Sequence, residues 1–314
     1  MIDNSNLQNL IDSIISEESY YFTSKTNHVK QIAKRNKYIL LIIIILMIVI
    51  ATLDGFRRSN SLKLILIAGV FKVFIILFVY LTTNKYSLLP NGILKNLKNQ
   101  YKKNVISKAI YHIDSELHFE QKCNTNEFFF QKSGFFNSYI SDKYEDDYIS
   151  GKRESISFHI IDVHIQEFLR FIFNGLFIIV KFENDWENEC MIIEKKDKRK
   201  KNQAELRGYK LVNENELRLC YSKTDKYDQT LFLQFSVLMS DFNKNHNACI
   251  GISTVNQYLF IGIDFANDDL FELKFNDKTE ISEKIKYDIT LIHNVLKFVN
   301  ASIDFGLVNN KRMA

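Results

Sequence analysis

YILLIIIILMIVIATL, residues Tyr38 to Leu53, contains no charged side chain. A helix this apolar on every side has no polar face to offer water, so it suits lipid better than a protein core. A bilayer is crossed by about 20 mainly apolar residues, with a range near 17–25. The run reaches that length by borrowing Asp54 to Phe56 from the polar loop DGFRRSNS that follows. A second apolar run extends from Leu62 to Thr83, with Lys63 near its start and Lys72 near its middle. Together they predict a two-helix transmembrane hairpin over residues 37–83.

The residues ahead of the first run include Asp3, Asp12, Glu17 and Glu18. They are too long and too acidic for the basic leader of a secretory signal. Lys25, Lys30, Lys34, Arg35 and Lys37 precede the hairpin, and Lys85, Lys95, Lys98, Lys102 and Lys103 follow it. The loop holds the smaller set Arg57, Arg58 and Lys63. This asymmetry predicts both termini in the cytoplasm, although Arg57 and Arg58 pull weakly the other way. Lys72 stands out, because a lysine near the bilayer centre costs about 2.5–3.5 kcal/mol on insertion scales. It either snorkels, pairs with a neighbouring helix, lines a pore or water-filled axis, or sits near one interface on a tilted helix.

The averages conceal all this. The 314 residues carry 41 Lys+Arg against 37 Asp+Glu, a net charge of +4, with 46% hydrophobic residues and a mean hydropathy of −0.14. These values exclude collagen-like, strongly disordered and disulfide-scaffold classes. The mean hydropathy blends an intensely apolar hairpin with a Lys- and Asn-rich remainder.

On the N-terminal side, residues 1–36 read as an amphipathic helix. Leu7, Leu10, Ile11, Ile14 and Ile15 form its apolar stripe, which is expected to pack on the downstream domain. On the other side, Pro90 and Gly92 mark the exit from the membrane. A juxtamembrane segment, residues 84–116, then contains a helix from Ile93 to Ile113. Lys95, Lys98, Lys102 and Lys103 crowd one of its faces, either touching anionic lipid or simply solvated.

Residues 117–302 read as a cytosolic α+β domain with mainly antiparallel strands, in two subdomains meeting near Leu211. A short helix is expected at Glu127–Gln131, ending before Gly134. Strands are expected at Tyr148–Gly151, Ser155–Val163, Cys190–Ile193, Ala248–Thr254, Gln257–Phe265 and Leu270–Phe275. Asn174-Gly175 looks like the turn of a hairpin joining Arg170–Phe173 to Leu176–Phe182. The run KKDKRKK, Lys195 to Lys201, reads as a charged loop; it lacks the interleaved aromatics that would stack bases, so nucleic acid is not an expected partner. Helices are predicted over Thr230–Asn245 and Ile281–Asn300, and residues 303–314 as a loose tail.

Motifs for common chemistry are missing. Cys123, Cys190, Cys220 and Cys249 lack zinc-finger spacing and fit reduced thiols. There is no GxxxxGK[ST], GxGxxG, GxSxG or HExxH. His159, Asp162 and His164 are the nearest approach to a catalytic or metal group. Strand alternation puts Asp162 and His164 on one face and His159 on the other, with no third ligand in view. Asp264, Asp268, Asp269 and Glu272 lack the spacing of a calcium loop. No metal, cofactor or catalytic residue is therefore assigned.

Ser133-Gly134-Phe135-Phe136, then Tyr144, Asp147 and Gly151, then Asp162-Val163-His164, then Phe173-Asn174-Gly175-Leu176-Phe177 resemble the signature of a bacterial family with two transmembrane helices, known only as domain of unknown function 3137. Phe135 and Asn174 depart from that family's commoner types, as in a divergent member. The resemblance implies a bacterial plasma-membrane protein with a membrane hairpin and a following domain, and brings no catalytic residues. From the residues alone, Gly134 and Gly175 look like turn positions and the Phe residues like core.

The expected function is a non-enzymatic, membrane-anchored cytosolic binding or scaffold module, with membrane lipid, a homo-oligomeric partner and an unidentified ligand. One alternative is an oligomeric membrane effector or channel gated by its cytosolic domain, motivated by Lys72. The other is an enzyme of unrecognised type using His159, Asp162 and His164.

Overall fold

A computed structural model describes residues 2–57, 91–122, 124–136, 142–167, 170–224, 228–265, 270–271 and 281–311. Leu62 to Thr83, Lys72, Pro90 and most of the strand expected at Leu270–Phe275 lie outside the described residues. The chain divides into two compact units. One comprises Met1–Asp12, Val105–Glu272 and Lys286–Ala314; the other comprises Ser13–Asn104 and Leu273–Ile285.

The second unit contains most of α1 (Asn4–Arg57), a single helix of 54 residues and about 80 Å at 1.5 Å per residue. The amphipathic segment and the first apolar run are thus one element. Leu7, Ile11 and Ile14 of the predicted stripe are buried, with Leu10 and Ile15 half-buried. Helix α2 (Asn91–Tyr101) passes through a π-helical turn, Lys102–Ile106, into α3 (Ser107–Ile113). Leu97, Tyr101, Val105, Ile106, Ala109 and Ile113 of the expected apolar face are buried, as is Ile110. A π turn adds a residue per turn and rotates the side chains that follow.

Among the described residues the first unit is α+β, built on a nine-stranded, wholly antiparallel sheet. Its strands are β1 (His118–Glu120), β2 (Asp142–Arg153), β3 (Ile156–Glu167), β4 (Arg170–Lys181), β5 (Cys190–Glu194), β6 (Lys210–Glu214), β7 (Arg218–Ser222), β8 (Cys249–Val255) and β9 (Tyr258–Asp264). Their spatial order is β1-β2-β3-β4-β9-β8-β5-β7-β6. Leu211, the expected meeting of two subdomains, lies inside the margin strand β6, whose register shifts between Leu211 and Asn213.

Both faces of the sheet are covered, which is why β5 is buried at every position. One face carries Ile161, Val163, Phe177, Ile179, Met191 and Phe260, packed with Phe130 of α4 (Glu127–Ser133) and Ala204 of α5 (Lys198–Leu206). Phe130 stacks on Phe177 with centroids 4.6 Å apart. Helix α6 (Gln229–Asn245) lies against the opposite face, where Asn243 and Ser240 bond to Glu194 and Arg218, and α7 (Ile281–Lys311) packs on α6. These two helices pack through Phe235–Phe305 and Phe242–Phe298, at 5.8 and 5.5 Å.

Local chemistry sets the helix ends. Asn126 accepts from the Phe128 N–H and Asp228 from the N–H groups of Thr230 and Leu231, capping α4 and α6. Gly134 closes α4 at φ 80°, where a Cβ would lie 2.6 Å from the Met191 methyl; it is a turn glycine, as expected.

Three local expectations are corrected. Asn174-Gly175 is no turn: β4 runs straight through it, pairing Gly175 with Val163 and Asp264. Glycine is needed there because a Cβ would collide with the Ile263 carbonyl across the strand. The charged run is no loop either. Asp197 caps α5 by accepting from the Lys200 N–H, and Lys200 is fully buried. Lastly, α7 continues to Lys311 where a loose tail was expected after Ser302.

Among the described residues, one helical stretch, Ile281–Val308, is long and apolar enough to span a bilayer by length and composition. Yet more than half of its most apolar part is buried, and Ile289, Ile292, Val295, Leu296, Val299 and Ile303 supply that buried face. This is the pattern of a core helix.

Candidate functional site

The second unit places α1 and α2 side by side and antiparallel. Phe22 and Tyr101, both fully buried, meet edge-to-face at 5.4 Å. Tyr21 donates its hydroxyl to Gln100 at 2.6 Å, and Asn104 donates its amide to Glu18 at 3.3 Å. Burying an aromatic ring of this size contributes about 1.5–3 kcal/mol, so the two rings anchor the pair and the polar contacts set its register. Toward the C-terminal end of α1, Thr26, Val29 and Ala33 are buried while Lys30, Lys34, Arg35 and Lys37 are exposed. Beyond them Tyr38, Ile39, Leu41, Ile42, Ile43 and Leu46 are exposed, Ile42 at 57%. Successive helical residues point about 100° apart, so Leu41, Ile42 and Ile43 alone show apolar surface over more than half the helix circumference.

The four lysines expected to share a lipid-facing patch are dispersed. Lys95 and Lys103 are exposed and Lys98 is half-buried. Lys102 sits in the π turn at 3% exposure and so cannot join such a face.

His159, Asp162 and His164 do not converge. His159 stacks on Tyr148 at 5.6 Å, with its Nδ1 hydrogen-bonded to the tyrosine hydroxyl at 2.5 Å. Burial pushes its pKa down, favouring the neutral ring. Asp162 and His164 occupy the other face; Asp162 is buried and lies 3.7 Å from His164 Nε2. Among the described residues no three His, Cys, Asp or Glu side chains could jointly hold a metal ion.

A cleft in the first unit is invisible to sequence reasoning because three distant segments build it. The turn Asp114–Leu117, the tip of the β2–β3 hairpin and the middle of α7 enclose about 530 Å³. Its floor is apolar, from Leu117, Phe158 and Leu296. Gly151 permits that floor, since a Cβ there would collide with Leu117 and Phe158. Arg153 clasps Asp304 across the rim at 2.9 and 3.0 Å from the two carboxylate oxygens. Lys152 and Lys297 bring positive charge, and Asp114, Glu116 and Glu154 negative charge. An apolar floor beneath a rim of both signs fits a small amphiphilic ligand or a peptide side chain.

A second polar cluster stiffens one end of the sheet. Glu194, at the end of β5, accepts from Asn243 of α6 and from the Ile250 N–H at 2.9 and 3.1 Å, and pairs with Lys196 at 3.1 Å. Its register partner Arg218 donates to Ser240 at 2.9 Å. Two of these contacts tie strand ends to α6 and one ties β5 to β8, which marks the cluster as architecture.

No family model matches the chain, and no curated protein is similar to it. Among solved structures, it is similar to the mycobacterial trehalose monomycolate transport factor A at 11% identity and a TM-score of 0.36, over 67% of this chain and 96% of that one.

Proposed function

We propose that the chain is a two-pass membrane-anchored binding module, in which a hairpin over residues 37–83 fixes the sheet unit to one side of a bilayer. The observation that carries this is the antiparallel pairing of α1 with α2. Glu18 lies against Asn104 and Tyr21 against Gln100, so Asn91 returns to about the level of Gln31, ahead of the exposed apolar run. A chain that enters lipid at Tyr38 and is back on the same side by Asn91 crosses an even number of times. Leu62–Thr83 is the one further run between them long enough to cross. The resemblance to a family with two membrane helices accords with the same reading. Within the sheet unit, the cleft clasped by Arg153 and Asp304 is the docking place for the ligand.

The test is a topology map. Reporters fused at Met1, at Ala314 and within the loop at Ser59 should place both termini on one side and the loop on the other, and the chain should resist alkaline extraction from membranes. Termini on opposite sides, or release by alkali, overturns the reading.

A further inference from the structure

We infer that the basic stripe Lys30, Lys34 and Lys37 of α1 binds the anionic phospholipid headgroups of the leaflet through which the hairpin enters. This rests on the hairpin reading above. It moves the lipid-contacting site away from the α2 lysines.

The first observation is charge segregation. From Ser19 to Ile113 there are fifteen Lys and Arg and one acid, Asp54, a surplus of +14. The total of +4 leaves −10 on the rest of the chain. The one acid, Asp54, lies seventeen residues beyond Lys37.

The second observation is placement on the helix. Lys30, Lys34 and Lys37 are spaced i, i+4, i+7 and share one face. All three are exposed. They flank the stripe of Thr26, Val29 and Ala33 buried on the same helix, and the exposed apolar run begins at the very next residue, Tyr38.

Distance decides between the two lysine groups. At about 1.5 Å per residue, Lys37, Lys34 and Lys30 stand roughly 2, 6 and 12 Å above the level of Tyr38. The headgroup layer adds about 5–7 Å outside the hydrocarbon core. Lys34 and Lys37 therefore lie within it, and Lys30 within one Debye length of about 8 Å. The antiparallel register puts Lys95, Lys98 and Lys103 level with α1 residues about 27, 24 and 19, hence roughly 17, 21 and 28 Å above the same plane. Lys98 is then about two Debye lengths beyond the headgroups, and Lys103 nearly three.

The experiment uses the full chain in nanodiscs containing equal phosphatidylglycerol and phosphatidylcholine, with the lipid retained after mild detergent extraction then quantified. The wild-type chain should retain an excess of the anionic lipid. Lys30→Gln/Lys34→Gln/Lys37→Gln should lose it, by up to about fivefold per lysine, while Lys95→Gln/Lys98→Gln/Lys103→Gln should keep it. Equal retention by the stripe variant and wild type, or an equal loss in the α2 variant, overturns the inference. A chain that resists alkaline extraction yet shows no anionic excess also overturns it and leaves the hairpin standing. A chain released by alkali refutes the hairpin, and this inference falls with it.

Discussion

Replacing Asp197 by Asn separates two roles that one carboxylate performs. Asp197 caps α5 by accepting from the Lys200 N–H at 3.0 Å, and it pairs with the fully buried Lys200 ammonium at 2.9 Å. Asn caps a helix about as well as Asp, so Asp197→Asn keeps the cap and removes the charge. What is left is an ammonium at 0% exposure, between the Phe135 ring 5.7 Å away and the backbone at Gly251. An uncompensated buried charge of this kind costs about 3–5 kcal/mol. Asp197→Ala should cost about 1 kcal/mol more, for the lost cap. Asp197→Asn/Lys200→Met should recover most of the loss, because an apolar side chain of similar length needs no partner. The assay is urea unfolding of the full chain in mild detergent, followed by the fluorescence of the single tryptophan, Trp186, which is buried against Phe182 in the sheet unit. In the wild type, burial raises the Asp197 carboxyl, but the charge and hydrogen bonds of Lys200 outweigh it and the net shift is downward. The pair's contribution is thus present above the ordinary carboxylate pKa near 3.9 and is lost as pH falls through the lowered folded value. A loss below about 1 kcal/mol for Asp197→Asn, or a double variant no more stable than the single one, would refute the reasoning.

Gly175→Ala should destabilise the sheet unit by at least about 1–3 kcal/mol in the same assay, since the new methyl meets the Ile263 carbonyl. Asp228→Ala, which removes bonds of 2.8 and 3.1 Å to the Thr230 and Leu231 N–H groups, should cost about 1–2 kcal/mol. His246 and His293 are buried, and burial lowers both pKa values. The unfolded chain therefore takes up protons first, and stability should decline as pH falls below about 6.5. His293→Leu should flatten part of that decline, measured by urea midpoints between pH 7.5 and 5.

The elements legible in the sequence were those with a strong period or a firm stop. The Leu7–Ile15 stripe, the α4 terminus at Gly134 and the strands around Gln257–Phe265 announce themselves because one local signal suffices. The departures share a cause, in that a tertiary contact overrides the local signal. Asn174-Gly175 reads as a turn, yet the glycine answers to a carbonyl on another strand. Lys195–Lys201 reads as solvated because nothing nearby in sequence shows that Lys200 will be buried under Phe135. Residues 303–314 read as a loose tail, but a Cβ at Gly306 would collide with Phe182, so that glycine serves packing inside a continuing helix. Strand alternation did place Asp162 and His164 opposite His159, and that same geometry keeps the three apart. The cleft drew on residues as far apart as Asp114 and Asp304, a combination with no linear trace.

The order of the sheet has one more consequence. Among the described residues the nine strands do not close into a barrel and leave two open margins, and such margins are where one copy of a sheet can pair with another. The margin strand β1 has three residues, too few to template another chain, and β6 breaks its register between Leu211 and Asn213 between the charged ends Lys210 and Glu214. A broad sheet with one stunted and one kinked border can be crowded without zipping into fibres.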